Sequence, residues 1–272
     1  MLKHIRFAVF TVAALMLAPG TSAAQDFNAG LAAHNRGDYA TALREWRPLA
    51  EQGAAIAQRL LGKMYTFGQG VPKDYAEAAR WYRKAAKQGS AGAQDTLGSI
   101  YSFGQGVPKD YAEAARWYRK AAKQGHVMAQ KKLGDAYKNG QGVSQDYAEA
   151  MRWYRLAAEQ GYVHAQKNLG IMYANGQGVR KSYTEAARWY RKAAKQGNAS
   201  TQAVLGHMYN TGQGVPQDHV TAHMWFNIAA GQGMIRAAKM RDKLTERMTA
   251  ADISEAQRRA RACVNSNYQA CD

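Results

Sequence analysis

A Gly-Gln-Gly triplet recurs at Gly68, Gly104, Gly140, Gly176 and Gly212, always 36 residues apart, so the chain must build one small unit five times and stack the copies. A second glycine keeps the same beat at Gly53, Gly89, Gly125, Gly161, Gly197 and Gly233. Leu-Gly pairs follow it as well, at Leu61-Gly62, Leu97-Gly98, Leu133-Gly134, Leu169-Gly170 and Leu205-Gly206, with tyrosines at Tyr65, Tyr101, Tyr137, Tyr173 and Tyr209.

The copy from Ser90 to Gly125 shows what each unit encodes. Ala93, Leu97, Ile100 and Tyr101 fall on one face of a helix over about Ala91 to Phe103. Gly98 beside that face costs about 1 kcal/mol relative to alanine. Its return in every copy predicts close approach of a neighbouring helix. Gly104 is suited to a left-handed C-terminal cap. Asp110 and Glu113, three apart, form a capping box in which each side chain can satisfy a backbone N–H at the start of a second helix. Asp74 with Glu77, Asp146 with Glu149 and Ser182 with Glu185 repeat it. Ala114, Trp117, Tyr118 and Ala121 then define an apolar side, and Lys123 with Gly125 a basic last turn and a stop. The aromatics are expected to bridge to the next unit, because a single hairpin cannot bury this surface.

The flanks differ. Residues 1–24 read as a secretory signal peptide: Lys3 and Arg6, an apolar run from Phe7 to Leu17, and small residues ending at a cut after Ala24. That run is too short to cross a bilayer, and export to the periplasm or beyond is the expectation. Residues 25–53 carry the second-helix pattern with Asp38, Tyr39 and Trp46, preceded by a short helix, and read as an N-terminal capping half-repeat. Residues 54–233 hold the five repeats. In the last, Met224, Asn227 and Ile228 stand where earlier copies have Arg or Lys, so that side is expected to be covered by two helices within residues 234–262, the second opened by Thr249. Residues 263–272 form a tail with the only two cysteines, Cys263 and Cys271. Paired in an oxidising compartment, they would stiffen it by about 2.5 kcal/mol on the chain-entropy account; two free thiols are the other reading.

Chemistry is scarce. The Gly-Gln-Gly turns lack the lysine and hydroxyl of a phosphate loop and follow helices rather than strands. His219 and His223 have the spacing of a zinc pair, but Val220 stands where a metalloprotease needs glutamate and no third ligand is evident. The cap glutamates recur too often to be a catalytic base, and no nucleophile motif is present. No cofactor, metal or nucleic-acid motif emerges, and the Trp-Tyr pairs read as core. Formal charge is +17, or +15 without Lys3 and Arg6, which favours acidic partners or anionic surfaces. Arg80, Arg83, Lys84 and Lys87 align with Arg116, Arg119, Lys120 and Lys123 and with Arg188, Arg191, Lys192 and Lys195. They are either a basic contact ridge or a solvated face copied by duplication, since Tyr65–Gly89 and Tyr101–Gly125 differ only at Thr66 and Ser102.

The pattern A-x-x-x-L-G-x-x-Y-x-x-G-x-G-V-x-x-D-Y-x-E-A-x-x-W-Y-x-x-A-A-x-Q-G, read from Ala93 to Gly125 and its copies, resembles the Sel1-like repeat, a relative of the tetratricopeptide repeat. Arg241-Asp242, Met248-Thr249 and Ala256-Gln257 also resemble the closing segment of bacterial members. The resemblance implies an all-α, right-handed α/α solenoid with capping helices at both ends, and a non-catalytic scaffold for protein–protein interaction. Some cysteine-rich members bind or slowly hydrolyse β-lactams, which leaves a hydrolase of that class, or of cell-wall compounds, as an alternative; this chain lacks the repeat cysteines. A binder of anionic envelope surfaces is the other alternative. In such stacks the first helices line a concave groove. The non-identical outward positions there, Arg59, Lys63, Asp95, Ser99, Lys131, Asp135, Lys138, Lys167, His207 and Asn210, are therefore the candidates for gripping a protein or peptide partner of acidic character.

Overall fold

The computed structural model describes residues 26–271; the expected signal segment lies outside them. Fourteen helices and no strand make up the described residues. An N-terminal hairpin pairs α1 (Phe27–Asn35) with α2 (Tyr39–Glu51). Five repeat hairpins follow: α3 (Ala55–Phe67) with α4 (Tyr75–Lys87), α5 (Ala91–Phe103) with α6 (Tyr111–Lys123), α7 (Val127–Asn139) with α8 (Tyr147–Glu159), α9 (Val163–Asn175) with α10 (Tyr183–Ala194), and α11 (Ala199–Thr211) with α12 (His219–Gly231). The chain closes with α13 (Ile235–Thr245) and α14 (Ala250–Asn265). Each helix from α1 to α13 packs on the next and α14 returns onto α12, giving a right-handed α/α solenoid.

The local signals act much as expected, with one correction. Gly104 caps α5 at φ +70° and its N–H donates to the Ile100 carbonyl. Asp110 caps α6 by accepting from the Glu113 N–H at 2.9 Å. The reciprocal half of the expected capping box is replaced. The Asp110 N–H donates instead to the Tyr101 carbonyl of the preceding helix at 2.9 Å, and the same bond recurs from Asp74, Asp146, Ser182 and Asp218. That frees the glutamates, and Glu77, Glu113, Glu149 and Glu185 each pair with an arginine three residues on.

Within a hairpin the helical glycine admits an aromatic ring. A Cβ on Gly98 would lie 2.6 Å from the Tyr118 ring, and Gly134, Gly170 and Gly206 face Tyr154, Tyr190 and Phe226 in the same way. The second-helix tyrosines also reach the next unit as expected: Tyr82 clusters with Ala93 and Leu97, and Tyr118 with Ala129 and Leu133. The tryptophan bridges the other way, towards the preceding unit: Trp117 packs with Ala78 and Ala85, and Trp81 with Ala42 and Trp46.

Two polar ladders tie the hairpins together. Buried Gln94 donates to the Ala86 carbonyl of the preceding hairpin at 3.0 Å and accepts from Gln124 of its own at 2.7 Å. Gln58, Gln130, Gln166 and Gln202 repeat both bonds. Arg47, Arg83, Arg119, Arg155 and Arg191 each donate to the tyrosine hydroxyl of the following first helix, over 2.6 to 3.0 Å. Each bond satisfies a group that stacking would otherwise leave unpaired, so register between hairpins is fixed by polar as well as apolar contacts.

At the C-terminal end α12 is apolar on both sides and is covered on both. Phe226 packs with Ala237 and Leu244 of α13. Met224 and Ile228 pack with Ala260 and Cys263 of α14. Asn227 accepts from Arg241 at 3.1 Å. The helix that carries Cys263 continues to Asn265, and a disulfide joins Cys263 to Cys271, both buried in this core. The disulfide turn brings Tyr268 against Gly197.

Candidate functional site: the first-helix face

The histidine pair offers no ligand set. His223 is buried and shares a hydrogen bond with the Thr245 hydroxyl at 3.2 Å. Burial, with Arg241 adding to it, holds its imidazole below the ordinary range. No cluster of three metal-binding side chains occurs among the described residues. With the cap glutamates occupied by arginines, the surfaces presented by the stack become the place to look.

The basic stripe on the second helices is already employed. Arg80, Arg116 and Arg188 pair with the glutamate one turn back. Arg83, Arg119 and Arg191 hold the next unit's tyrosine. Lys84, Lys120 and Lys192 lie over the Trp81, Trp117 and Trp189 rings at 4.0, 4.2 and 4.5 Å, a cation–π placement that also shields the ring. The stripe is thus largely a by-product of building the hairpin.

On the first helices the ten candidate positions fall on one face, but in two groups. Asp95 and Ser99 are not free: the Lys132 ammonium makes bonds of 2.9 and 2.8 Å to the Asp95 carboxylate and 2.8 Å to the Ser99 hydroxyl. Asp95 is only 6% exposed. Lys131 and Asp135 form an ion pair at 2.6 Å, and Asp135 also accepts from the Tyr154 hydroxyl at 2.7 Å. Burial, then the Asp135 charge, pushes the Tyr154 phenol up, so it remains a donor. Four candidates are therefore occupied in the middle of the face, Asp95 and Ser99 by joining repeats and Lys131 and Asp135 within one hairpin. Lys132, which holds the first pair, escaped notice because its equivalents are Leu60, Thr96, Asn168 and Val204.

The other six remain available. Lys63 and His207 are exposed, and Arg59, Lys138, Lys167 and Asn210 half-buried. None of the four cations among these six forms an ion pair among the described residues. The face is thus neutralised at its centre and basic towards both ends.

Its C-terminal end continues onto α13. A 36-residue shift places Met240 opposite Val204 and Lys243 opposite His207, so α13 acts as a sixth first helix. Between α11 and α13 lie two adjoining clefts of about 370 and 230 Å³ that share His207 and Met240. Val204 and Met240 give an apolar floor, and Arg236, Lys243 and Arg247 line the α13 side.

Five consecutive matches to the Sel1 repeat, at residues 55–90, 91–126, 127–162, 163–198 and 199–234, account for most of this architecture. The chain belongs to the Sel1 repeat family, whose members generally mediate protein–protein interaction and are typically non-catalytic scaffolds. It is similar to a protective antigen of uropathogenic Escherichia coli with the same fold, at 37% identity and a TM-score of 0.80 over 90% of this chain. This chain spans 55% of that protein's length. It is also similar to a Sel1 repeat protein of Oxalobacter formigenes, at 37% identity and a TM-score of 0.75, covering 79% of this chain and 88% of that one. No curated protein matches it.

Proposed function

We propose that the chain is an exported adaptor that grips a segment of an acidic partner protein along its first-helix face, in the periplasm or outside the cell, by binding without turnover. The observation that carries this reading is the division of labour within each hairpin. Glycines, glutamines, tyrosines and second-helix arginines are consumed in stacking. The positions that differ from copy to copy and stay clear of those bonds, Arg59, Lys63, Lys138, Lys167 and His207, share one face. Unpaired cations there favour an acidic partner and hasten encounter. Export is supported by the charged, apolar and small-residue order of the first 24 residues, and by likeness to a protective antigen. Attachment to an anionic surface through the second helices fits less well, because the arginines there are already paired and Lys84, Lys120 and Lys192 are stacked on tryptophans.

Affinity capture from an envelope extract, read by mass spectrometry, should recover a protein that is lost when Arg59, Lys63 and Lys167 are changed together to glutamate. Recovery should survive charge reversal at Arg80 and Arg116. Equal recovery with both variants would refute the assignment. The exported form should begin at Gln25; an unprocessed N-terminus would reject the cut.

A further inference from the structure

Between α11 and α13 the first-helix face opens into a slot whose lining carries cations and no acid. Between α5 and α7 Lys132 reaches across to Asp95 and Ser99, and the cleft of about 410 Å³ beside it carries Asp135 as well as Lys131 and Lys132. Val204 on α11 is 37% exposed; across the α11–α13 joint the residue equivalent to Lys132 is Met240, and the residue equivalent to Asp95 is Ala203. Neither can supply or receive that ion pair, and the slot there consists of the two joined clefts.

Its charge is one-sided. Arg236 and Lys243 on α13 and Arg247 just past its end line the clefts, and no carboxylate lines either one. None of the three forms an ion pair among the described residues; Asp242, the nearest acid in sequence to Lys243, is taken by Arg241 at 2.7 Å. Three cations around an apolar floor of Val204 and Met240 need carboxylates at the rim and an apolar side chain in the centre.

We infer that this cleft is a binding site for an acidic peptide segment of the partner protein, with a leucine, methionine or phenylalanine seated between Val204 and Met240 and flanking Asp or Glu side chains paired with Arg236, Lys243 and Arg247. This rests on the adaptor reading and adds the chemistry of what is gripped. Apolar contact sets affinity at the centre and the rim charges set encounter and orientation. A polyanion such as nucleic acid fits worse, because it would leave the apolar floor bare.

The test is selection of a random dodecapeptide library on the purified full chain, followed by titration of the selected peptides by fluorescence anisotropy. Selected peptides should place acidic residues on both sides of an aliphatic, methionine or aromatic residue. Changing Val204 and Met240 together to serine should weaken binding at least tenfold. Changing Arg236, Lys243 and Arg247 together to glutamate should abolish it, with unfolding temperatures of both variants checked against the parent. As a second apolar probe that leaves helix α13 untouched, Val204→Glu alone should also weaken binding tenfold. Failure to select any peptide, peptides without acidic bias, or binding that survives the charge reversal would overturn the inference. So would binding that depends on the cations but not on Val204 and Met240, the signature of a polyanion site. If selection fails while the envelope partner is still lost on changing Arg59, Lys63 and Lys167, the adaptor reading stands and this cleft falls; loss of both results removes both.

Discussion

Replacing Gly106 by alanine should loosen the joint between the first two repeats, whereas the same change at Gly125 should not. Both glycines are left-handed, at φ +68° and +83°. An alanine pays about 1–2 kcal/mol for that conformation, partly offset by a stiffer unfolded chain worth about 0.4–1 kcal/mol. At Gly125 nothing lies within 4 Å of the added Cβ, so about 1 kcal/mol is the whole expected cost. At Gly106 the new Cβ would stand 2.3 Å from the Ala76 nitrogen and the Tyr75 carbonyl carbon, both backbone. Reaching an ordinary contact of about 3.5 Å requires the turn and the start of α4 to part by roughly 1 Å. Overpacking of that kind costs about 1–3 kcal/mol more. Gly106→Ala should therefore destabilise by about 2–4 kcal/mol. Since stacked repeats can open one joint at a time, amide hydrogen exchange is the appropriate assay beside urea unfolding. Protection should fall first in α4 and α5 for Gly106→Ala and stay even for Gly125→Ala. Equal destabilisation within about 0.5 kcal/mol, or uniform loss of protection in both, would refute the idea that the second glycine of each triplet sets the spacing between hairpins.

Two further perturbations probe the joints and the C-terminal cap. Lys132→Met strands the buried Asp95 carboxylate and should cost about 2–4 kcal/mol, less than for a fully buried pair because the lysine side chain is 26% exposed. Adding Asp95→Asn should recover part of it in a double-mutant cycle, and strictly additive costs would show that the two do not interact. His223 is kept neutral in the folded protein by burial and by Arg241. Its unfolded form takes up a proton near the ordinary value of 6.5 while the folded form resists until lower pH, so its contribution is intact above 6.5 and declines as pH falls below it. The unfolding temperature of the parent should drop between pH 7.5 and 5 more steeply than that of His223→Gln; parallel curves would rule the histidine out.

The helix boundaries were open to reading because they are written in local chemistry. Gly104 and Gly125 end helices through their own φ, and Asp110 starts one through its own side chain. A 36-residue beat then carries each boundary to its copies. The close approach at Gly98 was legible for the same reason, although not the identity of the ring that fills it. What could not be read was pairing across copies. Arg83 and Tyr101 lie 18 residues apart, and Lys132 and Asp95 lie 37 apart, close to one period. A chain aligned with itself shows that both members recur or differ; it cannot show which copies meet. Viewed on its own helix, Asp95 is an outward residue beside an apolar face. Only the arrival of α7 turns it inward.

That distinction also locates binding capacity. A repeat protein needs each copy to satisfy the polar groups of its neighbours, and this chain does so with side chains that look solvent-facing when one hairpin is considered alone. The basic stripe is the largest case: charge that suggested a contact ridge is spent on Tyr101, Tyr137 and Tyr209 hydroxyls, on tryptophan faces and on cap glutamates. Repetition therefore marks structural duty. Departure from repetition marks either a special joint, as at Lys132, or a surface released from joint-making, as at Val204. The two are told apart by whether the neighbouring copy supplies a partner. At α7 it does. On α13, which ends the series of first helices and forms no ladder bond through Ala238 or Thr245 in place of Gln202 and Tyr209, the cations Arg236 and Lys243, with Arg247 just past its end, are left facing a cleft with no acid in it. The end of the stack is thus where the demands of stacking cease and charge becomes available to another molecule.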